Sequence, residues 1–121
     1  MQEYRCSAKC VAEAFDLAWL RKELDPSFYT NKQLISDQND QTWTALYSPI
    51  PDDGHVFFFA DGTFVVWRAP DTHVERCLFD SKNAQIGTYP EKQFETEEMN
   101  YVENADPFVY ALHFIFILLK M

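Results

Sequence analysis

The sequence predicts an α+β chain: a ferredoxin-like βαββαβ sandwich, an antiparallel sheet with helices on one of its faces. Three observations lead there. Residues 56–67 (VFFFADGTFVVW) are two apolar, aromatic and β-branched arms joined by Asp61-Gly62. That pair is a strong hairpin signal, because a tight primed turn needs positive φ at its centre and glycine adopts it at low steric cost. On either side, around 16–24 and 70–78, apolar residues recur at helical spacing. Strand-forming segments at the outer ends complete the order strand, helix, strand hairpin, helix, strand.

Each element follows from local chemistry. Residues 4–12 alternate, setting Tyr4, Cys6, Ala8 and Cys10 on one side of a half-buried strand. Asp16 stands where an N-cap belongs, ahead of Leu17, Leu20 and Leu24. Asp25-Pro26 closes this helix, since the residue before a proline is pushed out of the α region. Residues 27–42 are largely polar, with Leu34 and Ile35 as an apolar stitch, and are expected to form a surface connection. Residues 42–47 are strand formers, and Pro49, Pro51 and Gly54 end them in a turn. The hairpin arms are apolar almost throughout, so they belong in the middle of a sheet or under helices on at least one face. Pro70 stands at a first helical position, and Val74, Cys77 and Leu78 form the stripe behind it. Residues 87–90 (GTYP) are a break, and 94–102 read as an extended acidic strand.

The end of the chain differs in character. Residues 108–119 are apolar except for His113. As a helix they would be about 18 Å long, short of the roughly 30 Å hydrocarbon core of a bilayer, so they cannot span it unaided. They read as a packing helix or buried strand, as a membrane-dipping or partner-docking tail, or as a terminus foreign to the fold. The domain organisation is therefore one α+β unit over 1–104 and a hydrophobic tail over 105–121.

Composition narrows the function. The chain has 121 residues, enough for one domain, with 47% hydrophobic and 17% aromatic content. Its net charge of −9 opposes an electrostatic grip on DNA or RNA, which needs clustered Lys and Arg. Glu91, Glu95, Glu97, Glu98, Glu103 and Asp106 face only Lys92 in their span, an acidic patch that is either a solvated face or a site for a basic partner. Cys6, Cys10 and Cys77 are an odd count and read as reduced thiols. Residues 1–4 show no import signal, so cytosolic residence is the expectation if the chain is complete.

No catalytic constellation emerges. Cys6 and Cys10 lie two pleat periods apart on a strand, about 13 Å, too far to share a metal; on a helix they could share one, but two thiols alone make no site. His55, His73 and His113 have no ligand-like pairing, and no spacing ties a histidine to Cys10 or Cys77 as a nucleophile and base. Glu97 and Glu98 point to opposite faces of a strand, which opposes an acid/base couple. Gly54, Gly62 and Gly87 are the only glycines, so there is no phosphate-binding loop. The expectation is a non-enzymatic domain without catalytic, cofactor-binding or metal residues. A second reading is a nucleic-acid- or ligand-binding sandwich, with Phe64 and Trp67 as stacking platforms. Residues 62–67 (GTFVVW) loosely mimic the aromatic strand of an RNA recognition motif, but Asp61 stands where that strand carries a basic residue.

Three segments carry a family likeness: residues 8–17 (AKCVAEAFDL), 57–67 (FFFADGTFVVW) and 97–101 (EEMNY). In that order and spacing they resemble the N-terminal part of the required-for-meiotic-nuclear-division family, also called the YagE family. The likeness covers about residues 4–102 and then stops, where family members continue into a long helical region and many end in a membrane-associated segment. The resemblance implies a shortened member: a scaffold or adaptor domain that supports mitochondrial translation at the inner membrane. Its implied partners are the mitochondrial ribosome or an inner-membrane assembly, with homo-oligomers and membrane association also admitted, and its implied location is the mitochondrion. The family has no established catalytic residues, so none are carried over.

Overall fold

The structure, a computed structural model, describes residues 3–36 and 43–102. Among these residues the class is α+β: eight strands in antiparallel sheets and two α-helices. In chain order the elements are β1 (Glu3–Cys10), β2 (Ala12–Phe15), α1 (Leu17–Glu23), β3 (Gln33–Ser36), β4 (Trp43–Ile50), β5 (Gly54–Phe59), β6 (Thr63–Trp67), α2 (Asp71–Asp80), β7 (Gln85–Thr88) and β8 (Glu95–Val102). Six strands form the main sheet in the order β3-β4-β5-β6-β1-β8, and β2 pairs with β7 in a small second sheet.

The hairpin is central, as its composition requires. β5 and β6 have four strands around them, and every residue of β6 is buried. Its turn differs from the expected two-residue primed form. The Gly62 N–H donates to the Phe59 carbonyl at 3.1 Å, and only Gly62, with φ of 89°, takes positive φ in the loop. A primed turn would need Asp61 there too; instead a three-residue loop ends in a left-handed glycine. Asp61 Oδ1 accepts from the Thr63 N–H at 3.1 Å and closes the loop. The Gly62 carbonyl in turn accepts from the Val11 N–H at 3.0 Å, so the turn is stapled to the β1–β2 corner.

α1 starts as its cap dictates: Asp16 Oδ1 accepts from the Trp19 N–H at 3.0 Å, satisfying one of the orphan donors of the first turn. Leu17, Leu20 and Leu24 turn inward. Lys32 Nζ reaches back to the Leu24 carbonyl at 2.6 Å. Pro70 is the residue that caps α2, one position earlier than expected, and Val74 and Cys77 are buried.

Two segments expected to be irregular are strands. Residues 33–36, within the expected surface connection, form β3 on the edge beside β4, with Leu34 across from Leu46. The neighbouring Phe28 and Tyr29 are buried at 5% and 1% exposure. Residues 85–88, which run into the expected break at 87–90, form β7, where Gly87 at φ 67° lies against the Glu13 side chain. β4 also continues through Pro49 to Ile50; the turn falls at 51–53, with Asp52 and Asp53 both left-handed. The expected strand over 4–12 divides at Val11 into β1 and β2.

The sheet has two buried faces, and register sorts the side chains between them. Leu46, Val56, Phe58, Phe64 and Val66 share a core with Leu17, Leu20 and Leu24 of α1 and with Val74 and Cys77 of α2. Cys6, Ala8, Ala45, Phe57, Phe59, Val65 and Trp67 are buried but stand outside that core. Pairing places them together on the opposite face: Cys6 across from Trp67, Ala8 from Val65, Val65 from Phe57, and Phe59 from Ala45. The tail over 105–121 lies outside the described residues.

Candidate functional site

The strongest candidate surface is a cleft where α2, the turn after it, β7 and Phe94 meet. α2 has its inward stripe at Val74 and Cys77, which leaves Phe79 on the outer side with 72% of its surface exposed. A short 3-10 turn, Lys82–Ala84, then feeds the chain into β7, whose Ile86 is 55% exposed. The Tyr89 N–H donates to the Val11 carbonyl at 3.0 Å, holding the next segment against the β1–β2 corner. These elements enclose about 350 Å³, lined by Leu78, Phe79, Lys82, Tyr89, Glu91 and Phe94 among others. Lys82 Nζ stands 5.8 Å from the Phe79 ring centroid, the outer limit of a cation–π contact. A shallower depression of about 450 Å³, lined by Cys10, Tyr89, Gln93 and Glu95, adjoins it through Tyr89.

Chemically this is a place for an apolar side chain, with acidic groups at its rim: Glu75 and Glu91 against Lys82. The acidic segment named from the sequence lies alongside, on β8, the outer strand of the main sheet next to β1. There Glu98 accepts from Ser7 Oγ at 3.3 Å and lies 3.9 Å from Arg5, while Glu97, across from Ala8, belongs to the other side of the pleat. The charges along this edge oppose pairing with a further strand.

The remaining polar groups are structural in arrangement. Tyr29 donates to Asp80 at 2.9 Å, Arg76 bridges Asp80 and Asp25 at 3.2 and 3.4 Å, and its guanidinium lies 4.0 Å over the Phe28 ring. This network ties the loop after α1 to α2. Burial pushes the Tyr29 hydroxyl far above its ordinary range, pushes the Cys77 thiol up to about 12 and raises the Cys6 thiol further, so these groups stay protonated and unreactive. Cys6 and Cys10 lie on one strand, and Cys77 lies on α2. His73 contacts Asp52 at 3.0 Å; His113 lies outside the described residues. Among the described residues, no group of three His, Cys, Asp or Glu side chains could hold a metal.

One expected pair of binding residues is overturned. Phe64 and Trp67, read as stacking platforms, are both fully buried, and on opposite faces of the sheet. Stacking on a base needs an open ring face; these two are spent on packing. The sequence signal that would have shown this is their spacing: three residues apart on a strand, they cannot share a side. Phe79 falls off the apolar stripe of α2, and an off-stripe phenylalanine is the sequence signal for this cleft.

His55, away from the cleft on β5, makes stability depend on pH. Its Nδ1 lies 2.7 Å from the Tyr47 hydroxyl, with the two rings stacked. Burial, aided by the Arg68 charge, lowers its pKa below the ordinary 6.5. In its Nε2–H tautomer the neutral ring accepts from the Tyr47 hydroxyl. Below pH 6.5 the unfolded chain takes up a proton that the native state resists, so stability falls with acidification through that value. The melting temperature is expected to drop by a few degrees between pH 7.5 and 5.5, with a shallower slope in His55→Asn. Parallel curves for the two proteins would show that His55 is not the titrating group.

Comparison of the chain with family models, curated proteins and solved structures gave no match. Among the described residues no helix is long and apolar enough to cross a membrane.

Proposed function

We propose that this chain is a non-enzymatic scaffold or adaptor domain that docks a protein partner in the cleft beside α2. The observation that carries this is Phe79: a large apolar ring, 72% exposed, at the mouth of an apolar-lined cleft. Six of the other seven described phenylalanines are buried, so such a ring marks a contact surface. The rim carboxylates and the net charge of −9 define the complement, a protein segment with an apolar side chain flanked by Lys or Arg.

The ferredoxin-like reading and the family resemblance belong to the same proposal. Both are supported by how the sheet is assembled. β1 lies between β6 and β8, so each helical crossover returns beyond an intervening strand, with β3 and β4 added at one edge. The three segments of likeness become neighbours: Ala8 pairs with Val65 on one side and Glu97 on the other. By that resemblance the partner is the mitochondrial ribosome or a protein of the inner-membrane translation machinery.

The test is co-sedimentation of the purified chain with mitochondrial ribosomes at low and high salt. Binding that weakens with salt and falls at least tenfold in Phe79→Asp is the expected result. A flat response to Phe79→Asp would remove the cleft from the interface, and no sedimentation at all would remove the ribosome.

A further inference from the structure

The sequence holds two Asp-Gly pairs, Asp53-Gly54 and Asp61-Gly62. In such a pair the backbone is open to attack by its own amide, because glycine has no side chain to shield its nitrogen from the preceding carboxyl. Both pairs lie at hairpin turns of the main sheet, and the fold treats them oppositely. Asp61 is half-buried, and its Oδ1 accepts from the Thr63 N–H at 3.1 Å. The Gly62 N–H donates to the Phe59 carbonyl at 3.1 Å. Gly62 is also pressed on the β1–β2 corner, where a Cβ would stand 2.0 Å from the Ala12 carbonyl oxygen. Carboxyl, nitrogen and backbone are all held.

The turn between β4 and β5 holds none of these. Asp53 is exposed, and no described group hydrogen-bonds its carboxylate. The Gly54 N–H reaches the Pro51 carbonyl at 3.4 Å, a long hydrogen bond. Asp52 and Asp53 carry the turn at φ 66° and 60°. That is the primed form, which favours glycine at its second central position, and here glycine comes one place later. Two side chains therefore stand in left-handed backbone at a steric cost. We propose that Asp53-Gly54 is a site of self-modification, at which the folded protein forms an isoaspartyl linkage, while the fold protects Asp61-Gly62.

The step needs water alone. The Gly54 nitrogen bonds to Asp53 Cγ, and the amide hydrogen leaves with the carboxyl OH as one water. The five-membered imide that results is opened by water at either carbonyl, with no electron transferred. Addition at Cγ restores aspartate; addition at the backbone carbon breaks the original peptide bond, and the chain then runs through Cβ. The turn gains a methylene in its backbone next to Asp52, which Asp52 Oδ2 now holds to α2 through His73 Nε2 at 3.0 Å.

The test incubates the full chain in oxygen-18 water near neutral pH and about 37 °C, folded and in guanidinium chloride. It runs until the unfolded chain has isomerised about a tenth of both pairs. Chymotryptic peptides 48–57 and 60–64 separate the two sites, and electron-transfer fragmentation locates the isoaspartate and the oxygen-18 that imide opening leaves there. The folded chain is expected to isomerise at Asp53 within about fivefold of the unfolded rate, and at Asp61 at least tenfold more slowly than at Asp53. Equal rates at the two sites in the folded chain, protection of both, isoaspartate at Asp52, or isoaspartate at Asp53 without oxygen-18 would each overturn the proposal.

Discussion

Replacing Gly62 by alanine is expected to destabilise the domain by roughly 2–5 kcal/mol, the sum of a left-handed backbone penalty and a steric displacement. Both causes are local and visible. Gly62 sits at φ 89°, where a Cβ is strained in any environment. A Cβ built there would also stand 2.0 Å from the Ala12 carbonyl oxygen and 2.6 Å from its carbon. These are backbone atoms, held by the Val11 N–H donation to the Gly62 carbonyl, so no rotamer change relieves the clash. Either the hairpin loop or the β1–β2 corner must move. Domains of this size carry about 5–15 kcal/mol of stability, so the substitution consumes a large part of it. Urea unfolding followed by tryptophan fluorescence reads the change as a lower midpoint; a shift equivalent to less than about 1 kcal/mol would show that the corner yields freely.

Phe58→Ala is expected to cost about 3–5 kcal/mol, the range for truncating a fully buried phenylalanine. Phe58 is 1% exposed in the centre of the helix-side core. Its ring meets Phe15 edge-on at 5.7 Å, Phe64 at 5.9 Å and Tyr29 at 6.3 Å. Those partners come from β2, β6 and the loop after α1, so the cavity opens where three separate elements converge. None of them can collapse into it without breaking its own strand pairing or the Tyr29–Asp80 bond. Thermal unfolding and urea midpoints check this; a loss below about 1.5 kcal/mol would mean that the core repacks around the gap.

The elements that were legible in the sequence are those whose signals are local. Asp16 and its leucines defined α1, and the acidic run from 94 onward marked β8. What escaped was set by neighbours distant in the chain. β3 has only four residues, of which Leu34 and Ile35 are half-buried, and it is a strand because β4 offers it an edge. β7 is built around a glycine with positive φ, a poor strand former, and exists because β2 needs a partner. Ser7, polar and expected on the open side of its strand, is buried under its bond to Glu98. The candidate cleft was equally hidden, since Phe79 gains meaning only once Lys82, Tyr89 and Phe94 arrive beside it.

By itself the sequence determined that this chain builds an antiparallel sheet around a greasy hairpin, because apolar strand formers hinged on Asp-Gly leave the backbone few alternatives. Only the tertiary structure decided which side of that hairpin faces the helices, since neither Phe58 nor Phe57 carries a mark of its side until register is set. The same pairing buried Phe64 and Trp67 on opposite faces and left Phe79 outside, because a side chain's exposure depends on what is packed over it and not on its own chemistry.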